Sequence, residues 1–229
     1  MRELNINESL LIAEEMRKSD SEGLGLAGVT AIEDVALNRI LEIKRNKLTL
    51  RGRTFALEKL FRSPPPAASG YHDDPDREII MFRIGSGGAP AAQPFNPTPP
   101  SAEDVDMAKP IPFRVIGVDD EADIPANIYL DQRPLTGEDE GKIGLFSKRF
   151  ETLEPEFVWN PVDNKVYKHI RLLIDSTDAR EQAINEAGLV IARPDNFEGA
   201  ELFSRVTFAS EYMASETEKG LLIHYYVYA

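Results

Sequence analysis

The stretch Leu221-Leu222-Ile223-His224-Tyr225-Tyr226-Val227-Tyr228-Ala229 decides the fold class. In an extended strand Leu221, Ile223, Tyr225 and Val227 share one face, and Leu222, His224, Tyr226 and Tyr228 share the other. Both faces are largely apolar, so the strand belongs in the centre of a sheet or under a cover. A hydrophobic terminus is normally tied into a sheet, because free ends fray. A β domain is therefore expected to close with this strand.

Further strands are read upstream of it. Leu172-Leu173-Ile174-Asp175 and the strand-like Leu202-Phe203-Ser204-Arg205-Val206-Thr207-Phe208 carry the same signature, with the apolar-rich Ile184 to Ile191 between them. Glu156 to Asn160 and Lys165 to Ile174 flank Pro161-Val162-Asp163-Asn164, which reads as a hairpin loop, and Val166, Lys168, Ile170, Leu172 and Ile174 share a face. Phe113 to Val118, Asn127 to Leu130, Lys142 to Phe150, and segments near 188–193, 201–209 and 219–228 complete the set. Residues 178–187 read as a helical turn or a bulged loop. Short strands separated by turn signals predict a mainly β chain with an antiparallel β-sandwich over residues 113–229.

The first half reads differently. Ile6, Leu10, Leu11, Ala13 and Met16 predict a short amphipathic helix over 6–18, capped by Asn7. Ile32, Val35, Ala36, Ile40, Leu41 and Ile43 recur at helical spacing, and Thr30 with Glu33 forms a capping-box pair, so 30–45 is predicted helical. Leu48, Leu50, Phe55 and Leu57 predict strands over 47–61, with Arg51-Gly52 as a turn. Residues 1–62 are thus expected to be a docking segment of helix and strand. A loop opens at Ser63-Pro64-Pro65-Pro66, and Glu78 to Ile84 reads as a strand. Gly85 to Pro112 then holds Gly-Ser-Gly-Gly and seven prolines, at 90, 94, 97, 99, 100, 110 and 112. So much proline excludes a regular helix or a central strand. Residues 63–112 are therefore read as an extended arm laid along another surface.

Composition narrows the chemistry. The chain of 229 residues has no cysteine, which excludes disulfides, thiolate metal sites and cysteine nucleophiles. No apolar run approaches the ~20 residues of a membrane span, and the N-terminus lacks the pattern of a signal peptide. A soluble protein without membrane contact is expected. The net charge of −13 is uneven: residues 1–62 hold 11 Lys/Arg against 10 Asp/Glu, and residues 63–229 hold 15 against 29. The acidic bulk repels nucleic acid and suits basic partners.

Candidate sites are few. Gly85-Ser86-Gly87-Gly88 lacks the lysine and following helix of a phosphate loop and reads as part of the arm. His72-Asp73-Asp74-Pro75-Asp76 has metal-ligand residue types at no metal-binding spacing, and Asp119 to Asp123 and Glu138 to Glu140 read as solvated turns. His169 and His224 fall inside strands, with no serine on a strained turn to complete a triad. No catalytic set, cofactor site or metal site is expected. Residues 39–62 hold Arg39, Lys44, Arg45, Lys47, Arg51, Arg53, Lys59 and Arg62 against Glu42 and Glu58. With poor aromatic interleaving, this basic set reads as a dock for an acidic protein surface rather than for DNA.

Ile184-Asn185-Glu186-Ala187-Gly188-Leu189, Leu202-Phe203-Ser204-Arg205-Val206-Thr207-Phe208 and the terminal Gly220 to Tyr228 resemble structural proteins of tailed bacteriophages. Such proteins often show an "INE-x-GL" segment, an "LFAR-x-TF"-like strand and an aromatic last strand. Phe82 to Pro90, Pro94-Phe95-Asn96-Pro97 and Pro110-Ile111-Pro112-Phe113 are similar to virion proteins of contractile-tailed phages. The resemblance covers about residues 80–115 and 165–229; Ser204 stands where alanine is common and Tyr225 where tryptophan is common. It implies a virion component of the baseplate, neck or fibre attachment, assembled in the host cytoplasm, in several copies among other virion proteins. The residues expected to meet partners are Lys44, Arg45, Lys47, Arg51, Arg53, Phe82, Ile84 and Phe95. Two other readings stay open. One is a neck or head–tail joining protein touching DNA through 39–62. The other is a carbohydrate-binding β-sandwich with Trp159 as the sugar platform.

Overall fold

The computed structural model describes residues 11, 12, 14, 27–61, 76–117, 128–150, 158–160, 165–194, 197, 199–214 and 220–228. In chain order these give β1 (Ala27–Asp34), β2 (Arg39–Leu48), α1 (Leu50–Phe61), β3 (Glu78–Gly85), β4 (Pro110–Ile111), β5 (Arg114–Gly117), β6 (Tyr129–Pro134), β7 (Lys142–Arg149), β8 (Val158–Asn160), β9 (Lys165–Ile174), β10 (Gln182–Ala192), β11 (Glu201–Met213) and β12 (Leu221–Tyr228). All pairings are antiparallel, in the order β5-β7-β3-β10-β11-β2-β1-β12-β9-β8, with β4 on β3 and β6 on β7. The fold is mainly β, as the terminal strand predicts. Strand β12 lies between β1 and β9, and Leu221, Ile223 and Tyr225 are fully buried.

The sheet curls so that its two halves share a core. Phe82, Ile84, Leu189, Ile191, Val206 and Phe208 from β3, β10 and β11 join Ile32, Leu172, Ile174, Ile223 and Tyr225 from β1, β9 and β12 in one cluster. Each such side chain taken out of water contributes about 1.5–3 kcal/mol. Strand β2 is the hinge between the halves: it pairs with β1 over 39–46 and with β11 through Leu48↔Ser204 and Lys47↔Arg205. The Tyr225 hydroxyl meets Ser204 Oγ across the core, and burial raises the phenol's pKa.

Three expectations from the first half are corrected. Residues 30–45 are not a helix but a hairpin, β1 and β2, joined by the turn 35–38. Val29, Thr30, Ile32, Ile40 and Ile43 are β-branched and suit strands. Asn38 takes a left-handed conformation (φ 51°), and Asp34 Oδ1 accepts from the Leu37 N–H at 2.9 Å, closing the turn. Two strands folded back on each other reproduced a three-to-four-residue apolar rhythm. The apparent capping box is used otherwise: Thr30 Oγ1 donates to Asn46 Oδ1, and Glu33 faces His224.

Residues 47–61 are mostly helix rather than strands. Thr49 is its N-cap, its Oγ1 accepting from the Gly52 N–H at 2.9 Å. The helix lies on β11, and a Cβ at Gly52 would stand 2.0 Å from the Phe203 carbonyl oxygen. Glycine there permits the contact, not a turn. Gly52→Ala is expected to cost about 3 kcal/mol by overpacking, read as a lower urea midpoint. A loss under about 1 kcal/mol would mean that the helix stands off the sheet.

The expected division into residues 1–62, 63–112 and 113–229 also gives way. One sheet takes β1 and β2 from the first segment, β3 and β4 from the second and the remaining strands from the third. Long-range pairing, invisible to a local reading, joins them. Among the described residues no helix is long and apolar enough to cross a membrane.

Candidate docking surface

The outer face of β3, β10 and β11 carries charge where a covered sheet normally carries none. Gly188 pairs with Arg83 on one side and Arg205 on the other; Glu186 pairs with Gly85 and Thr207. Arg83, Glu186 and Arg205 are all buried, Glu186 completely. A buried charge is tolerable only when paired and fully hydrogen-bonded, and the segment 86–109 supplies the partners. It crosses this face as a strap.

The Glu186 carboxylate is the strap's main anchor. Its Oε1 accepts from the Gly87 and Lys109 N–H groups, both at 2.9 Å; its Oε2 accepts from the Ala108 N–H at 3.1 Å and from Arg205 Nε at 2.8 Å and Nη2 at 2.5 Å. Arg205 also donates to Asp104 at 2.7 Å, and Arg83 donates to Asp106 at 2.6 Å and Asp131 at 3.0 Å. Burial opposes the Arg205 charge, but Asp104 and Glu186 more than offset this and raise its pKa. Asn185 Oδ1 accepts from the Gly88 N–H at 2.6 Å, while its amide donates to Ser210 at 2.9 Å. A Cβ at Gly88 would lie 2.1 Å from the Asn185 carbonyl oxygen, so only glycine lets the backbones meet. Backbone bonds continue the attachment: Thr207 Oγ1 donates to Thr98 O, the Ser210 N–H to Pro94 O and the Leu50 N–H to Ala102 O.

The strap is therefore laid along the chain's own sheet, a correction to the expectation of an arm lying on another surface. Proline keeps it extended, and the N–H groups of Gly87, Gly88, Ala108 and Lys109 are satisfied from the sheet below. Its outward side presents Phe95, 82% exposed, and Val105, 75% exposed. The Pro90-to-Asn96 turn that lifts Phe95 is closed by the Gln93 N–H donating to Pro90 O and the Asn96 N–H to Gln93 O.

The other expected partner-binding residues divide. Phe82 and Ile84 are fully buried in the core and are unavailable to a partner, because the β3 strand read as part of the arm is central. The basic set does not form one face. Successive β2 residues point to opposite sides, which separates Lys44 from Arg45 and Lys47. Lys44 pairs with Glu42 at 2.5 Å, and Arg51 on α1 lies 3.4 Å from Glu201. Arg53, also on α1, is half-buried.

The two strand histidines come together on the outer face of the other half. His169 Nε2 lies 3.1 Å from His224 Nδ1, and His224 Nε2 lies 2.8 Å from Glu33 Oε2. A carboxylate only accepts, so His224 Nε2 carries a hydrogen. The His169 ring stacks on Tyr226, with centroids 4.3 Å apart and planes 6° apart. Burial, then His224 and Arg171, pull the His169 pKa down to about 3. Val29, Ala31, Tyr226 and Tyr228 pack beside this row together with Ile12.

Glu138 and Asp139 lie in a short 3₁₀ turn, Gly137–Asp139, and no group of metal-ligating side chains forms among the described residues. His72 to Asp76 apart from Asp76, Asp119 to Asp123, the hairpin loop 161–164, the side chain of Trp159 and most of the 6–18 helix lie outside the described residues. Comparison with family models, curated proteins and solved structures finds no match to this chain.

Asn185, Glu186 and Arg205 belong to the motifs that carry the resemblance, but nothing local in the sequence assigns them to the strap. The available signal was a glutamate and an arginine inside otherwise apolar strands, opposite a glycine-rich segment.

Proposed function

We propose that the chain is a structural component of a phage tail, in the baseplate, and that it joins neighbouring subunits through the outward side of its strap. The observation that carries the reading is Phe95. A large aromatic side chain held out in water, on a turn whose backbone is tied down on both sides, is preorganised for burial by a partner. Apolar anchors of this kind bind with little ordering cost. The resemblance supports the same reading, because its motif residues Asn185, Glu186 and Arg205 are those that hold the strap. The strong negative charge of residues 63–229 suits docking among basic neighbours.

The test is quantitative mass spectrometry of purified particles of the encoding phage, scaled to the sheath protein. A small fixed copy number, in multiples of three or six, is the expected result. Absence of the chain from particles would overturn the proposal.

A further inference from the structure

A second buried charged cluster lies where the sheet curls closed, and neither the strap nor the docking surface uses it. Lys148 on β7 points at the loop 175–181, which joins β9 to β10. Its Nζ lies 2.5 Å from Asp178 Oδ2, 3.2 Å from Asp175 Oδ2 and 3.2 Å from the Leu173 carbonyl oxygen. The Asp178 side chain is fully buried and that of Lys148 is 13% exposed. The other carboxyl oxygen, Asp178 Oδ1, accepts from the Tyr129 hydroxyl at 3.1 Å and faces Arg114 Nε at 3.6 Å. That Nε is buried and makes no hydrogen bond among the described residues. The Asp175 N–H donates to Asp178 Oδ2 at 3.1 Å. Phe113 lies beside the lysine, its ring centroid 6.0 Å from Nζ.

We propose that Lys148 and Asp178 condense into an intramolecular amide, a covalent clasp between β7 and the β9–β10 loop. Both reacting groups are already in contact, which makes the reaction unimolecular and supplies a large effective molarity. Burial raises the Asp178 pKa, with Lys148 opposing it. A proton passed from the ammonium to this carboxyl gives a neutral amine, which is nucleophilic, beside a neutral acid, which is electrophilic. Nζ then attacks Cγ and the C–N bond forms. Charge developing on Oδ1 meets the Tyr129 hydroxyl and Arg114 Nε, which makes no hydrogen bond among the described residues. The Cγ–Oδ2 bond breaks, and the Asp175 carboxylate relays a proton from nitrogen to the departing oxygen, which leaves as water. The balance is ammonium plus carboxylate giving amide plus water, with no redox change and no further reactant. It also removes two charges from a site where each is costly to desolvate.

The loop is built to hold this geometry. Ala179 and Glu181 take left-handed conformations, φ 48° and 60°, without being glycine, and such residues persist only where the surroundings fix them. The Ala179 N–H donates to Phe113 O at 2.6 Å and the Glu181 N–H to Met213 O at 2.7 Å. Asp178 therefore enters the core from an immobilised loop.

Intact-mass spectrometry of the purified full chain tests this. The expected mass is about 18 Da, one water, below that of the sequence. Trypsin should no longer cut after Lys148, and the digest should contain one branched peptide joining Lys148 to Asp178. Lys148→Arg keeps the positive charge and has no amine to condense, so it should show its full sequence mass. Asp178→Asn should lose about 17 Da, one ammonia, by the same attack. Recovery of wild-type protein at full mass, with normal cleavage after Lys148, would overturn the proposal. So would a water loss that persists in Lys148→Arg, since it would then reflect cyclisation at an aspartate. The proposal does not depend on the assembly reading.

Discussion

Replacing Glu186 with alanine is expected to destabilise the protein by about 4 kcal/mol and to release the strap, because removing one partner of a buried ion pair costs about 3–5 kcal/mol. The lost carboxylate accepts five hydrogen bonds, three from strap backbone N–H groups and two from Arg205. Without it the Arg205 guanidinium stays buried with Asp104 as its remaining acidic partner. The N–H groups of Gly87, Ala108 and Lys109 lose their acceptor, and each costs about 1–3 kcal/mol if it stays dry. The cheaper outcome is for the strap to lift and hydrate. Urea unfolding measures the stability loss, and hydrogen exchange at residues 87, 108 and 109 measures the release. A loss below about 1 kcal/mol, with exchange unchanged, would mean that the strap is held by its backbone contacts and not by the carboxylate.

Acid should unfold the protein through His169. In the unfolded chain this histidine takes a proton near pH 6.5; in the fold its pKa is about 3, because burial, His224 and Arg171 disfavour the charge. Between those values the unfolded state binds more protons, so stability falls as pH falls. Above pH 6.5 both states are neutral at this position and the slope vanishes. Integrated over the whole window the loss is on the order of 5 kcal/mol. Among the described residues, the groups facing the ring include His224, Arg171, Tyr226 and, through His224, Glu33. Two of these, His224 and Arg171, are themselves basic and oppose a positive charge on His169. His169→Gln keeps a hydrogen-bonding side chain against His224 and takes no proton. Its unfolding free energy should therefore lose this slope between pH 6.5 and 4 while changing little at pH 8. Parallel pH profiles for wild type and variant would contradict the assignment.

The legible parts of the fold were those whose signal is local and whose two faces behave alike. Strands β9 and β12 are apolar on alternate or on both faces, and their bounds follow from residues 165–174 and 221–228. The hairpin of β1 and β2 was not legible, because its tight turn at 35–38 puts side chains from two strands into one apparent helical rhythm. Helix α1 was missed for the opposite reason: its faces are weakly separated, and its decisive features are a threonine cap and a glycine against Phe203, which need the tertiary contact to be recognised. The strap was legible as extended chain from its prolines, but not as part of its own fold. Its attachment rests on Glu186 and Arg205, which lie far away in sequence and look, locally, like exceptions within strands. Of the docking residues, Phe95 is exposed, whereas Phe82, the same residue type, and Ile84 are core. Burial is decided by which strand becomes central, and that is set by pairing with β10.

The most direct test of the assembly reading is incorporation of Phe95→Asp into particles, in competition with the wild-type chain. The turn carrying Phe95 is closed by backbone bonds, so the variant should keep the wild-type unfolding midpoint. The account predicts that wild-type chain enters particles at a fixed small copy number and that Phe95→Asp is depleted at least about tenfold, the equivalent of about 1.4 kcal/mol of lost docking energy. Equal incorporation of a folded Phe95→Asp chain would contradict the account.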